Sequence, residues 1–241
     1  MDWENAPEIV QWLRFPATAS VIGTCCTIWY LIWRNRLDYV DLGSSYRFVV
    51  IEKQWWRTLS ASLSHINLVH LGFNMFSTWQ LRHAEQILGS LEYLRFTLVF
   101  LLLSVIFQNA IHHVLLRTPS AEYTLNTVGV GFSCVVFAWM TWMSLLTSGQ
   151  SLDFLFFRVP YNMSPFASLI FTQLMIPRVD FIGHLSGIIA GYWQGWGLNA
   201  WLDGYWTVQI LVLYFVGCVC SLHWSGKEVH HDPLAICFGG S

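Results

Sequence analysis

The sequence predicts an all-α, polytopic membrane protein, in which a bundle of helices crosses the lipid bilayer. Of its 241 residues, 55% are hydrophobic and only 11% are charged, whereas soluble domains carry about 25% charged residues. Seven apolar runs follow one another along the chain, and they are too long and too little alternating for the strands of a membrane barrel. Because open sheets cannot span lipid, these runs indicate helices.

Each run can be compared with the ~20 apolar residues that a spanning helix needs. The second run is unusually polar, and the fifth is short and ends before Pro177. The seventh run either crosses the bilayer or lies at its surface. The runs cover residues 17–33, 65–88, 93–116, 130–146, 164–176, 181–198 and 205–222.

The segments between the runs are more polar. The most charged stretch, 34–57, ends in Trp55-Trp56-Arg57, a composition that suits the membrane interface. The N-terminal segment 1–16 precedes the first run, and the tail 224–241 is predicted to be disordered. We therefore expect one membrane domain with a short tail at each end.

Composition argues against several classes of function. The net charge is −2 and the 12 Lys and Arg residues are scattered, so no nucleic-acid partner is predicted. The six cysteines form no CxxC pair and are read as small helix residues. His112-His113 and His230-His231 lack acidic or Cys partners at ligand spacing, so the sequence predicts neither a metal site nor a cofactor.

The N-terminal residues bear on localisation. Asp2, Glu4 and Glu8 precede the first apolar run, which weakens a mitochondrial or plastid presequence, and no cleavable signal peptide is evident. We expect an integral, multi-pass protein of the secretory pathway or plasma membrane.

Five of the polar side chains inside the apolar runs form a set, and such groups are costly there and usually functional. Because successive spans alternate in direction, runs two, four and six point the same way. His65, His70 and Asn74 lie in the first half of run two, while Ser133 and His184 lie in the first turns of runs four and six. All five should therefore lie near one membrane face, at a similar depth.

The chemistry of this set is that of an acyl transfer. His184 is the base that can activate the Ser133 hydroxyl, and Asp180, one turn earlier, is expected at the helix mouth. The sequence therefore predicts a Ser–His dyad whose imidazole is oriented by packing or by a weaker partner. Singly, these residues have ordinary structural explanations, such as a bond to a carbonyl one turn earlier, but their matched depth favours catalysis.

Neighbouring residues would support the dyad. His70 and Asn74 share one helix face and could stabilise an oxyanion together with the Ser133 N–H at a helix N-terminus. Gly129 and Gly131 let the preceding backbone bend. Small residues mark close helix contacts in membranes, so the face carrying His184, Gly187 and Gly191 should lie against the fourth helix near Ser133.

The motifs together resemble the rhomboid intramembrane serine proteases. They are Trp56-Arg57, His65-x4-His70-x3-Asn74, Gly131-Phe132-Ser133-Cys134 and Gly183-His184-x2-Gly187-x3-Gly191. The resemblance covers about residues 17–198, which would form a six-helix core, with 199–223 as an extra hydrophobic helix.

The resemblance implies a role for each motif. It implies Ser133 as nucleophile, His184 as base, His70 and Asn74 as oxyanion donors and His65 in a supporting role. Trp56-Arg57 would belong to an interfacial loop, and Glu85 would help hold the core together. Phe166 and Phe171 would lie on a lateral substrate gate.

The implied activity is that of a serine endopeptidase that cuts transmembrane protein substrates within the bilayer. One departure is Cys134, where the family pattern Gly-x-Ser-Gly has glycine, and its side chain could crowd the sixth helix or the space beside Ser133. The alternative is therefore a catalytically weak or inactive pseudoprotease that binds membrane clients.

The resemblance also implies a cytosolic N-terminus and an active site that opens to the lumen or outside. The basic residues of segment 34–57 would then lie outside, against the positive-inside rule. The sequon Asn162-Met163-Ser164 would be cytosolic and unmodified.

Overall fold

A computed structural model describes residues 8–65, 67–119, 121–147, 149, 151–154, 157–175 and 180–225. Most of these residues are helical, which confirms the predicted all-α membrane bundle. The helices are α1 (Glu8–Arg14), α2 (Pro16–Asn35), α3 (Tyr39–Leu42), α4 (Trp56–Leu63), α5 (Leu68–Gln80), α6 (His83–Leu88), α7 (Ser90–Leu115), α8 (Ala121–Asn126), α9 (Ser133–Leu146), α10 (Ser164–Met175), α11 (Phe181–Gly195) and α12 (Gly204–Ser225).

Short irregular elements join these helices. Arg47–Ile51 forms a π-helical turn and Tyr161–Met163 a 3-10 turn. Two strands, β1 (Ser151–Phe154) and β2 (Phe157–Pro160), pair antiparallel between α9 and α10. The predicted boundaries 1–16, 17–198, 199–223 and 224–241 stay predictions, and residues 1–7 and 226–241 lie outside the described part.

Within the described residues, three helices are long and apolar enough to cross a membrane, namely α2, α7 and α12. The seventh apolar run is thus a 22-residue helix whose length suits a crossing. Helix α9 is apolar but has 14 residues, and α5, α10 and α11 have 13, 12 and 15, fewer than the ~20 expected for a full span.

The second and fourth runs differ from their predicted bounds for identifiable reasons. Helix α5 begins at Leu68 because the Asn67 side chain accepts a hydrogen bond from the His70 N–H at 2.7 Å, a helix N-cap. It is interrupted after Gln80 by a turn that precedes α6. Helix α9 begins at Ser133 and not at 130, because Gly131 has a φ of 127°, which a helix cannot contain. Because α5 begins at Leu68, His65 precedes the helix that was predicted to contain it.

Helix α9 lies at the centre of the core. Trp139 is almost fully buried and stacks on Tyr93 of α7 with ring centroids 4.6 Å apart. Its indole N–H donates to Thr97 Oγ1 at 3.1 Å, which satisfies the polar end of a buried Trp. These contacts hold α9, the helix that begins at Ser133, against α7.

Helix α12 packs against α4. The Trp56 backbone N–H donates to Ser221 Oγ at 3.1 Å, and the hydroxyls of Thr58 and Tyr214 lie 2.5 Å apart. The predicted extra helix therefore contacts the segment that carries the Trp56-Arg57 motif.

A buried carboxylate joins α2 to α6. Glu85 accepts hydrogen bonds from the backbone N–H groups of Ala17 and Thr18 at 3.0 and 2.8 Å, and from the hydroxyls of Thr18 and Ser90. The first N–H groups of a helix have no partner within the helix, and negative charge is favoured there. Glu85 therefore caps α2, the first spanning helix, from a distant part of the chain.

We expect Glu85→Gln to lower the free energy of unfolding by about 2 kcal/mol, because charge-assisted hydrogen bonds to a buried group are lost or weakened. Unfolding in mixed detergent micelles measures the change. Glu92→Gln is the matched control, since Glu92 is half exposed and pairs with Arg95 on the same helix surface, where pairs contribute little. Equal losses in the two variants would contradict a capping role for Glu85.

Candidate active site

Ser133 is placed by the loop that enters α9. Gly131 takes a φ of 127°, in the region that favours glycine, and its N–H donates to Ala61 O at 2.8 Å. A Cβ at Gly131 would lie 2.7 Å from two atoms of the His70 ring and 3.8 Å from Ser133 Oγ. Position 131 therefore requires glycine, because the His70 ring packs directly against the backbone that leads to Ser133.

Ser133 and His184 are in hydrogen-bonding contact. Ser133 Oγ and His184 Nε2 lie 2.8 Å apart, although the two residues are 51 positions apart in the sequence. His184 is buried and Ser133 is partly exposed. This is the geometry that lets an imidazole take a hydroxyl proton.

The imidazole is oriented by packing. His184 stacks on Phe137 with ring centroids 4.4 Å apart and an interplanar angle of 27°, while its Nδ1 has no hydrogen-bond partner among the described residues. Sequence reasoning did not identify Phe137. Its position four residues after Ser133, and so on the same face of α9, was the available signal.

Glycines bring the two helices together. A Cβ at Gly187 would overlap the carbonyl oxygen of Cys134 and lie 3.1 Å from its Cα, and one at Gly191 would lie 2.5 Å from Ala138 O. Helix α11 therefore contacts the backbone of α9 directly, one turn beyond His184. This close approach is what small residues allow between membrane helices.

Cys134 is buried, and its backbone contacts α11. The atoms nearest to a Cβ at Gly187 belong to the backbone of Cys134, while the cysteine joins the buried cluster that includes Phe132, Val135 and Trp139. The expected crowding by the Cys134 side chain stays a prediction.

His65 and His70 lie together beside the serine loop. Their ring centroids are 5.0 Å apart in an edge-to-face arrangement. The Phe132 N–H donates to His65 Nε2 at 3.3 Å, so that this nitrogen accepts and the ring proton resides on Nδ1. His65 thus supports the residue that immediately precedes Ser133.

Asn74 joins this group through the main chain. Its Nδ2 donates to the carbonyl of His70 at 3.0 Å, a bond within its own helix. An amide nitrogen carries two N–H donors, and this bond uses one of them.

The Trp56-Arg57 motif organises the interfacial segment. Arg57 is buried, donates to the carbonyls of Val40 and Gly43 at 2.7 and 3.0 Å and to Gln54, and lies over the rings of Phe48 and Trp56. Burial lowers the pKa of its guanidinium, while Glu52 and Asp41 oppose that shift. The arginine ties the chain around Gly43 to α4.

Asp180 bonds to the N-terminal end of α11, and among the described residues it does not bond to the imidazole of His184. The carboxylate accepts from the Gly183 N–H at 2.9 Å as a helix N-cap, at the helix mouth where the sequence placed it. Among the described residues, no three His, Cys, Asp or Glu side chains lie together as metal ligands would.

Residues 52–201 match the Rhomboid domain family. The chain is 25% identical to Rhomboid-like protein 15 of Arabidopsis thaliana, in an alignment that covers 95% of this chain and 57% of that protein. It is 33% identical to Rhomboid-like protein 14, mitochondrial, of the same species, over 56% of this chain and 41% of that protein. It is 32% identical to Rhomboid-related protein 4 of Homo sapiens, over 60% of this chain and 47% of that protein. The chain spans about half the length of these curated relatives.

Proposed function

The chain belongs to the rhomboid family, and we propose that it is an intramembrane serine endopeptidase that cuts the transmembrane segments of other membrane proteins. The observation that carries this proposal is the 2.8 Å contact between Ser133 Oγ and His184 Nε2. Membership of the family supports the reaction class, and the buried setting among membrane helices supports a substrate that is itself in the bilayer.

The proposed reaction proceeds through an acyl-enzyme. His184 Nε2 takes the proton from Ser133 Oγ as the oxygen attacks the scissile carbonyl carbon. The resulting oxyanion accepts hydrogen bonds from the Ser133 N–H and from His70 and Asn74. The imidazolium then gives its proton to the leaving amine, and the carbon–nitrogen bond breaks. His184 then takes a proton from water as the water oxygen attacks the ester carbonyl carbon. The bond between that carbon and Ser133 Oγ breaks, the imidazolium returns its proton to Oγ, and the carboxylic product leaves.

Labelling by a fluorophosphonate probe tests the proposal, because an activated serine displaces fluoride from phosphorus much faster than an ordinary hydroxyl does. We expect the wild-type chain in lipid nanodiscs to be labelled on Ser133, and Ser133→Ala to remain unlabelled. The matched control is Ser144→Ala, since Ser144 lies on the same helix and bonds to the Thr141 carbonyl. A wild-type chain that the probe does not modify at Ser133 would contradict the proposal.

The alternative is a client-binding pseudoprotease, favoured by Cys134 in place of glycine. It predicts that transmembrane clients co-purify equally with wild type and Ser133→Ala and that neither is cut. A large gain in cleavage by Cys134→Gly would instead indicate an enzyme slowed by the cysteine.

We propose that this integral membrane protein resides in the secretory pathway or plasma membrane. Microscopy and fractionation of the tagged chain measure the compartment. Recovery with mitochondria, the compartment in the name of one Arabidopsis relative, would contradict this localisation.

Asn162 is expected to stay unglycosylated when the chain is expressed in a eukaryotic secretory pathway, because the segment between α9 and α10 would be cytosolic. Asn162 is exposed, so burial does not protect it. The control is Glu122→Asn, which creates the sequon Asn-Tyr-Thr at an exposed position in the segment expected on the opposite side. A shift in mass removed by endoglycosidase reports each site, and a glycan on Asn162 would invert the proposed topology.

A further inference from the structure

Asp180 is bonded to the helix that carries the base. Its carboxylate accepts from the Gly183 N–H at 2.9 Å, and its main-chain carbonyl accepts from the His184 N–H at 3.1 Å. Both contacts lie in the first turn of α11. The orientation of that turn, and with it the start of the His184 side chain, depends on where Asp180 is held.

A glutamine on α7 holds Asp180. Gln108 Nε2 donates to the second carboxylate oxygen at 2.8 Å. Since the first oxygen is occupied by the helix cap, the carboxylate bridges α7 and α11 with one oxygen each. A hydrogen bond to an ionised acceptor is stronger and shorter than a neutral one, so this link constrains both partners.

The same carboxylate lies against the backbone that leads to the serine. A Cβ at Gly129 would lie 2.9 Å from the Asp180 carboxylate oxygen that faces Gln108. Gly129 is itself fixed, because its N–H and carbonyl pair with Ser44 at 2.9 and 3.0 Å. Four residues further along the chain is Ser133. Asp180 thus contacts the segments that supply the base and the nucleophile.

We propose that Asp180, through Gln108 and Gly129, is a positioning residue that sets His184 relative to Ser133; this inference rests on the proposed protease function. Its carboxylate is not the third member of a triad, because His184 Nδ1 has no partner among the described residues. It acts on the helix end instead. A displacement of about 1 Å between reacting groups can cost about a hundredfold in rate.

Four variants test the role, with the rate of fluorophosphonate labelling of Ser133 and the kcat and KM of substrate cleavage as readouts. We expect Asp180→Ala to slow labelling and kcat by about tenfold to a hundredfold, with KM changed by less than about threefold. Asp180→Asn should recover most of the rate, because asparagine also caps helices. Its side-chain N–H₂ can donate to the Gln108 side-chain oxygen once the Gln108 amide is rotated by half a turn. Gln108→Ala should also lower the labelling rate and kcat. The double variant Gln108→Ala/Asp180→Ala should be little slower than Asp180→Ala alone, because the two residues act through one contact.

The matched control is Asp203→Ala. Asp203 caps α12 in the same way, with its carboxylate accepting from the Trp206 N–H at 3.0 Å, so it reports the loss of a cap away from the site. An Asp180→Ala rate within about twofold of the Asp203→Ala rate, or an Asp180→Asn variant as slow as Asp180→Ala, would overturn the inference. If Asp180→Ala is not recovered folded, Gln108→Ala decides, and wild-type labelling by that variant overturns it.

The two proposals fail differently. A wild-type chain that is labelled on Ser133, with Asp180→Ala labelled equally fast, removes the positioning role and leaves the protease function standing. A wild-type chain that is not labelled removes both.

Discussion

Under the proposed function, replacing Ser133 with alanine is expected to lower the cleavage rate of a transmembrane substrate by at least about a thousandfold, as loss of the nucleophile does in serine enzymes. The variant has no hydroxyl for His184 to deprotonate. The fold should persist, because Ser133 is the first residue of α9, is only partly buried, and alanine is a good helix former. A reporter with a helix-destabilised transmembrane segment, reconstituted with the full chain in liposomes, measures the rate.

The control for this experiment is a serine that shares the helix but not the site. Ser144→Ala removes a buried hydroxyl that bonds to the Thr141 carbonyl, so its cleavage rate should stay within about twofold of wild type. Cleavage that survives in Ser133→Ala at the wild-type rate would show that another group performs the chemistry.

The second large effect is expected at Gly187. A Cβ there would overlap the carbonyl oxygen of Cys134, and a backbone carbonyl cannot rotate away as a flexible side chain can. Gly187→Ala must therefore push α11 away from α9, which separates His184 from Ser133. We expect cleavage to fall by about a hundredfold or more and the free energy of unfolding to fall by about 2 kcal/mol, as overpacking typically costs.

Gly23→Ala is the matched control. Gly23 also lies inside a membrane helix, α2, but a Cβ built there meets no described atom within 4 Å. Alanine should stabilise that helix by up to about 1 kcal/mol through propensity alone, with cleavage unchanged. A Gly187→Ala variant as stable and active as Gly23→Ala would mean that the α9–α11 contact is looser than the structure has it.

Much of the candidate site followed from sequence because its members are costly where they lie. Ser133, His184 and His70 are polar groups in apolar runs, and alternation of the spans placed them at a common depth. The structure brings these three together around Gly131. Phe137 was not identified, because an aromatic residue is ordinary in a membrane helix. Gln108 is a polar group in the third apolar run, but its partner Asp180 is known only from the structure.

The lengths of the helices were less predictable. Apolar composition shows where a chain can lie in lipid, but a helix ends where backbone geometry requires it. Gly131 delays the start of α9, Asn67 delays the start of α5, and a turn separates α5 from α6. The first two changes occur beside the site, in the irregular backbone that precedes Ser133 and His70.

The amino-acid sequence by itself determined that this protein is a helical membrane bundle of the rhomboid type, and it singled out one serine, three histidines and one asparagine as candidates for one site. It could do so because lipid tolerates few backbone structures and few polar side chains. Only the tertiary structure decided which ring packs against His184, which backbone Gly187 contacts and which groups bond to Asp180. Those outcomes depend on distances between helices. Two kinds of contact set these distances: glycine packed against a neighbouring backbone, and a carboxylate bonded to donors distant in the sequence.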